Sequence, residues 1–430
     1  MMEATKAASA RRVQWSVLFP AGFALALSLA GDLTLYAVLP AYATGIGLSL
    51  GTLSVLLSAN RLIRLISNPL VGLLADRFDR RKMFLTGLTT GVISTIFYVL
   101  AKGFWAFLLG RLLWGVSWSI LYIGIFCMVV DVTDDQDRGW GLGILQTFYF
   151  FGLMLNPIIG GLLADQFGFF TALLVCAAIQ AVGLVCALFF LPTTHPTGQA
   201  TKPERKPLQF SFSKTWQTVT AWIRSLSRDW FIRNKEIISA NYLYLLTLFI
   251  GDGFIMSTIT LYIKQRYGTG ISIGQMVVPV ATVGGVLIAL RAAISAGAAP
   301  LAGNWSKNAG ARWIITVWGT LCAIAGCVFL SIGSNFGMIL LGIVLASIGS
   351  GMLMAVLPVI VSTVSGAQSS LSMGILTTSG DIGCAIAPLV SYALLNSLSL
   401  SQLYLISAVL LVTGGALALT LVKRREVKQL

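Results

Sequence analysis

Pro69-Leu70-Val71-Gly72-Leu73-Leu74-Ala75-Asp76-Arg77-Phe78-Asp79-Arg80-Arg81-Lys82 is the stretch on which the reading of this chain turns. An apolar run gives way to an acid, and four bases follow within residues 76–82. Bases crowded at one end of a spanning helix mark its cytosolic exit, and Gly72 and Ala75 leave a small-residue face on which another helix can pack closely.

The rest of the chain repeats this pattern of apolar run and basic exit. Hydrophobic residues make up 57% of the 430 and charged residues 10%. A soluble domain carries about a quarter charged residues. A helix needs about 20 apolar residues to cross the hydrocarbon. Stretches of that kind lie near 15–44, 50–75, 82–101, 104–130, 139–164, 168–191, 237–265, 272–304, 312–332, 335–362, 369–396 and 400–422. The net charge of +14 does not indicate nucleic acid once the bases are placed. With a cytosolic amino terminus, 22 of the 29 Lys and Arg fall in cytosolic segments and three, Lys102, Lys264 and Arg266, in outer loops. The other four, Arg61, Arg64, Arg111 and Arg291, lie inside apolar stretches. The excess charge is a topology signal, and both termini are expected in the cytosol, in a bacterial-type inner membrane. Met1 to Arg12 is short and basic with no small-residue cleavage site after it, so the first helix is expected to be its own targeting signal. The six cysteines stand singly in apolar stretches and read as small core residues, and the one histidine, His195, lies in a polar linker.

The expected organisation is a cytosolic tail (1–14), a six-helix bundle (15–191), a cytosolic linker (192–236), a second six-helix bundle (237–422) and a cytosolic tail (423–430). In the linker, Trp216, Val219, Trp222, Ile223, Leu226, Trp230 and Phe231 recur at helical spacing against Lys214, Arg224, Arg228 and Arg233. That pattern predicts a basic amphipathic helix on the membrane surface. The halves repeat one another. Gly31-Asp32 is matched by Gly251-Asp252, with Tyr42 and Tyr262 ten residues on. Pro69, Gly72, Gly152 and Pro157 return as Pro300, Gly303, Gly383 and Pro388 at an offset of 231. These matches mark two six-helix halves related by a parallel repeat.

A charge in the hydrocarbon is costly, so ionisable residues there face a cavity or a partner. Asp32, Arg61, Arg64, Asp252, Arg291 and Asp381 fall near the middle of their helices, and Arg111 in the outer half of the fourth. Asp32 is read as a proton or cation site, or else as the structural partner of Arg61 or Arg64. Arg61 and Arg64, three apart on one face, either pair internally or bind an anionic group of the substrate. Tyr36, Tyr42, Trp118, Tyr122, Met256 and Tyr262 are candidates to line a lipophilic cavity.

The opening stretch resembles the G-x-L-a-D-r-x-G-r-k loop between the second and third helices of the major facilitator superfamily, with Asp79 where the family has a second glycine. Arg111-Leu112-Leu113-Trp114-Gly115 is similar to the R-x-x-q-G pattern of the family's fourth helix. Residues 151–161, with Gly152, Asn156, Pro157, Gly160 and Gly161, resemble the g-x-x-x-G-P-x-x-G-G pattern found in the drug/proton antiporter branch, Asn156 replacing a glycine. The resemblance implies an all-α membrane protein of twelve transmembrane helices in two pseudo-symmetric six-helix bundles. It implies that Arg111 takes part in proton coupling. It also implies that Asp76, Arg77 and Asp131, with Gly72 and Arg80, latch the cytosolic helix ends.

The expected function is proton-coupled efflux of a small amphipathic compound or drug by a monomer. One alternative is a proton-coupled importer of a metabolite anion, with Arg61, Arg64 and Arg291 as ligands; another is a lipid flippase or membrane sensor without ion coupling. No G-x-x-x-x-G-K-[ST] loop and no His/Cys cluster is present in the sequence. Neither an enzyme nor a cofactor or metal is expected.

Overall fold

A computed structural model describes residues 2–75, 78–100, 103–133, 138–192, 234–273, 276–306, 308–365 and 369–429. Apolar stretches become helices because hydrocarbon offers backbone N–H and C=O groups no partner but each other. Among the described residues, twelve helices are long and apolar enough to cross a membrane: α1 (Trp15–Ile46), α2 (Leu50–Gly72), α3 (Arg80–Val99), α4 (Phe104–Val129), α5 (Trp140–Phe167), α6 (Phe169–Phe190), α7 (Lys235–Tyr267), α8 (Val280–Trp305), α9 (Gly310–Ile332), α10 (Phe336–Ser365), α11 (Ser372–Leu394) and α12 (Leu400–Val422). Large apolar side chains such as Trp105, Phe189 and Val409 point outward, the surface a lipid-facing bundle requires.

Three boundaries differ from the expectation. Helix α8 was expected from residue 272 but starts at Val280, because Gly270–Ile273 (β1) and Met276–Pro279 (β2) pair as an antiparallel hairpin. Ile271, Ile273, Val277 and Val278 are as apolar as a helix needs, but β-branched residues beside glycine favour a strand pair. The expected tails also continue as helix: the backbone is helical from Met2 into α1 and through Gln429 beyond α12. The amphipathic segment 216–233 lies outside the described residues, as do Asp76 and Arg77.

The repeat seen in the sequence is realised in the contacts. Between the halves, α5 lies on α8 and α11 on α2, and shifting each helix by six converts one contact into the other. The repeat-related Gly152 and Gly383 do matching work. A Cβ on Gly152 would stand 2.8 Å from the Ala26 carbonyl oxygen of α1, and one on Gly383 would stand 2.6 Å from the Leu245 carbonyl oxygen of α7. Repeat-related irregularities accompany Asp32 and Asp252. Helical hydrogen bonding in α1 is interrupted at Leu29, just before Asp32, and α7 widens into a π-helical turn at Phe249–Ile255 that contains Asp252. Such turns concentrate at functional sites.

Candidate functional site

Between the halves lies a cavity of about 590 Å³, within the range of small-molecule sites. Asp32, Arg61, Arg64, Asp252, Arg291 and Asp381 all reach it. Arg111 does not; its side chain is wholly buried behind Asp32.

The partner of Asp32 is Arg111, not Arg61 or Arg64 as the sequence reading allowed. The correction has a simple cause: which face of α4 meets α1 is a tertiary fact that spacing within α2 cannot reveal. Asp32 Oδ1 accepts from Arg111 Nη1 and, at 3.2 Å, from Asn60 Nδ2. The rest of the guanidinium is also engaged. Its Nε donates to the Leu56 carbonyl at 2.8 Å, and its Nη2 to the Tyr36 hydroxyl at 3.2 Å and the Leu57 carbonyl at 3.4 Å. Tyr36, expected to line the cavity, is instead buried as part of this cradle, donating its hydroxyl to the Leu57 carbonyl at 3.1 Å.

In the second half Asp252 pairs with Arg291, one residue facing the other from α7 to α8. Asp381 of α11 takes both remaining arginines across the halves. Its Oδ1 lies 3.2 Å from Arg64 Nη2 and 3.7 Å from Arg61 Nη1, and its Oδ2 accepts from Asn68 Nδ2 at 3.5 Å. Trp118 and Tyr122 stack at 5.6 Å along one wall, Tyr149 lies 5.7 Å from Trp118, and Met256 lines the opposite half. Tyr42 and Tyr262 are elsewhere, hydrogen-bonded to the carbonyls of Ala164 and Leu330. Asn60, Asn68, Gln146, Tyr149 and Tyr244 line the cavity but were missed. The first two had a signal, since Asn60, Arg64 and Asn68 recur every four residues on one face of α2. For Tyr149 and Tyr244 nothing local separates a lining residue from a packed one. Cys384 also reaches the cavity, and all six cysteines are free.

The cavity runs from these charges toward the side of the bundle that carries both termini, where Pro69, Gln146, Tyr244 and Ser295 line it. At that side, among the described residues, no atom of another element lies within 4 Å of a Cβ built on Gly72 or on its repeat mate Gly303. Of the small-residue face read at Gly72 and Ala75, Gly72 is exposed and Ala75 buried. Nearby, Arg80 Nε meets Asp131 Oδ2 at 3.3 Å, and Arg81 donates at 2.6 Å to the carbonyls of Leu188 and Leu191 at the end of α6. Asp79, the departure from the family's glycine, caps α3 by accepting from Lys82 N at 2.9 Å.

At the opposite side the halves are closed. Gly161 sits against the Ala281 carbonyl of α8, and Gly285 of α8 against the Pro157 carbonyl of α5, while Gly160 packs on Thr34 of α1 within the first half. Asn156 donates to the Ala26 carbonyl at 2.9 Å, so the side chain replacing a glycine ties α5 to α1. Lys264 of α7 donates to the Ala41 carbonyl of α1. Asp165, which the sequence reading passed over, caps α8: its Oδ2 accepts from Thr282 N at 2.7 Å and Thr282 Oγ1 at 2.6 Å, while its Oδ1 accepts from the Tyr42 hydroxyl at 3.2 Å. Removing a cap of this type costs about 1 kcal/mol. Asp165→Ala is therefore expected to shift the equilibrium about fivefold toward a state open on this side. Spin labels at Ser49 and Ser334, exposed loop residues on that side in either half, read it as a longer distance population. An unchanged distribution would show that the cap does not hold the closure.

Comparisons with known proteins come to the same frame. A family model described as Major Facilitator Superfamily matches residues 21–295 and 281–430. Multidrug resistance protein MdtG of Citrobacter koseri is 29% identical over 227 residues, 53% of this chain and 51% of the relative, so the chain spans about half the length of that curated relative. Quinolone resistance protein NorA of Staphylococcus aureus is 28% identical over 153 residues, 34% of this chain and 39% of the relative. A solved bacterial homologue of the human lysosomal transporter Spinster, in an inward-facing and occupied conformation, superposes with a TM-score of 0.73 at 17% identity, covering 95% of this chain and 96% of that one.

Proposed function

The chain belongs to the major facilitator superfamily and is a membrane transporter, and from that premise we propose that it exports a small amphipathic compound in exchange for protons. Efflux is favoured by the relatives, which are named as multidrug and quinolone resistance proteins. The basic segments place both termini in the cytosol of an inner membrane by the positive-inside rule. The open side of the cavity is then cytosolic, and the state described is inward-open. Both halves of one chain line the cavity, which supports a monomer as the transporting unit.

Proton coupling rests on Asp32. Its carboxylate faces the cavity, while Arg111, its partner, is sealed behind it. If Asp32 takes a proton on Oδ2, its Oδ1 still accepts from Arg111 Nη1, and Nε and Nη2 keep the carbonyls of Leu56 and Leu57 and the Tyr36 hydroxyl as acceptors. No buried donor is stranded, so the acid can load and unload while the helices stay in place.

The test is pH change inside vesicles holding the purified chain, on addition of lipophilic cations, zwitterions and anions in turn. Proton movement that is lost in Asp32→Asn and kept in Asp32→Glu is the expected result. Persistence of proton movement in Asp32→Asn would overturn the assignment, and co-movement of substrate and proton in one direction would replace export by import. Import of a metabolite anion is the second reading, favoured by one observation: two arginines stand over the single carboxylate of Asp381.

A further inference from the structure

We propose that Arg61 and Arg64 form an anion subsite of the cavity, filled in this conformation by the chain's own Asp381, and that the carboxylate of an aromatic substrate takes its place. The inference rests on the reading that this cavity is where substrate binds.

The charges around the cavity do not balance. Asp32 is held by Arg111 and Asp252 by Arg291, so each has its own base. Asp381 is left to serve two guanidiniums, and it serves them poorly. Both reach the same oxygen, at 3.2 and 3.7 Å, and neither pairing is the two-pronged fork that an arginine makes with a well-placed carboxylate. One positive charge is in excess at a place where uncompensated charge is expensive.

The excess has a definite address. Arg64 Nε is buried and has no hydrogen-bond acceptor among the described residues. Buried donors in folded proteins are nearly all satisfied, and an exception calls for a reason. The Nε edge of Arg64 is one prong of the missing fork, and a carboxylate taking the place of Asp381 would complete it.

The surroundings say what the anion is attached to. The Arg64 guanidinium lies 5.8 Å from the centre of the Trp118 ring, and Trp118 continues into Tyr122 and Tyr149 as an aromatic wall. A flat apolar body lying on that wall would bring its carboxylate to Arg64. Because Asp381 belongs to α11 and the arginines to α2, displacement of Asp381 also removes a tie between the halves, so substrate binding acts directly on the bridge that joins them.

Equilibrium dialysis of the purified full chain in nanodiscs tests this with three labelled probes of one shape: 2-naphthoate, its methyl ester and 2-naphthylmethylammonium. Saturable binding is expected for 2-naphthoate in preference to the other two. Arg64→Gln is expected to weaken it about tenfold and Asp381→Asn, which removes the internal competitor, to tighten it about tenfold. Arg64→Lys keeps the charge without the Nε donor and should lie between Arg64→Gln and the parent chain. Should Arg64→Gln fail to fold, Asp381→Asn and the ester comparison decide alone. Equal binding of acid and ester, preference for the ammonium, or no saturable 2-naphthoate binding to folded Asp381→Asn would each overturn the proposal. These are binding readouts: loss of vesicle transport with acid-selective binding intact would sink the exporter reading and leave the subsite standing.

Discussion

Replacing Arg111 with leucine is expected to destabilise the protein by about 3–5 kcal/mol, the usual consequence of removing one member of a buried ion pair. The loss should be large because Arg111 does more than neutralise Asp32. It also satisfies the Leu56 and Leu57 carbonyls and the Tyr36 hydroxyl, none of which water can reach to compensate. Thermal unfolding of the purified chain in detergent measures the effect. The double variant Asp32→Asn with Arg111→Leu should recover part of it, since the stranded carboxylate is gone, while the space left by the guanidinium prevents full recovery. A stable Arg111→Leu chain would show that Asp32 does not need its base, and would remove the structural reason for keeping an arginine at this depth.

The second large effect is expected at Gly161. A Cβ there would stand 2.5 Å from the Ala281 carbonyl oxygen, so α5 and α8 meet backbone to backbone, with Gly285 making the reciprocal contact on Pro157. A leucine at 161 cannot be accommodated by rotating a side chain, because backbone is what it meets. Overpacking of this kind costs about 1–3 kcal/mol, which is a 5- to 150-fold change in a two-state equilibrium. The cost falls only on the state closed at this side, so Gly161→Leu should drive the population toward the state open there. The Ser49 and Ser334 labels report that shift as well, and it should exceed the one from Asp165→Ala. If instead the variant simply unfolds, the contact is part of the fold itself and not of a gate. A normal melting transition with an unshifted distance distribution would mean that α5 and α8 separate little during the cycle.

Much of the molecule was legible in residue order, and the reasons are local. A run of about 20 apolar residues has one low-energy conformation in hydrocarbon, so the twelve spans could be placed to within a few residues, the start of α8 excepted. The repeat was legible because Gly31-Asp32 and Gly251-Asp252 stand at the same depth in their helices, and the matched irregularities of α1 and α7 sit at those residues. The mid-helix charges announced the cavity because ionisable groups are tolerated at that depth only where something receives them. The hairpin before α8 was not legible, since a short apolar run suits a strand or a helix and only its pairing decides. The role of Asp165 was hidden too, because the helix it caps begins 115 residues later at Val280.

The sequence by itself determined the membrane class, the twofold repeat, the number of spans and the set of charged residues that had to meet at the centre. Only the tertiary structure decided who meets whom: Asp32 with Arg111, Asp252 with Arg291, Asp381 with both arginines of α2, and Tyr36 behind the wall instead of in it. The physical reason is that helix formation in a bilayer is settled within each segment by its own hydrogen bonds. Pairing depends on the rotation and tilt of one helix against another, which close contacts such as Gly161 on Ala281 set between segments far apart in the chain.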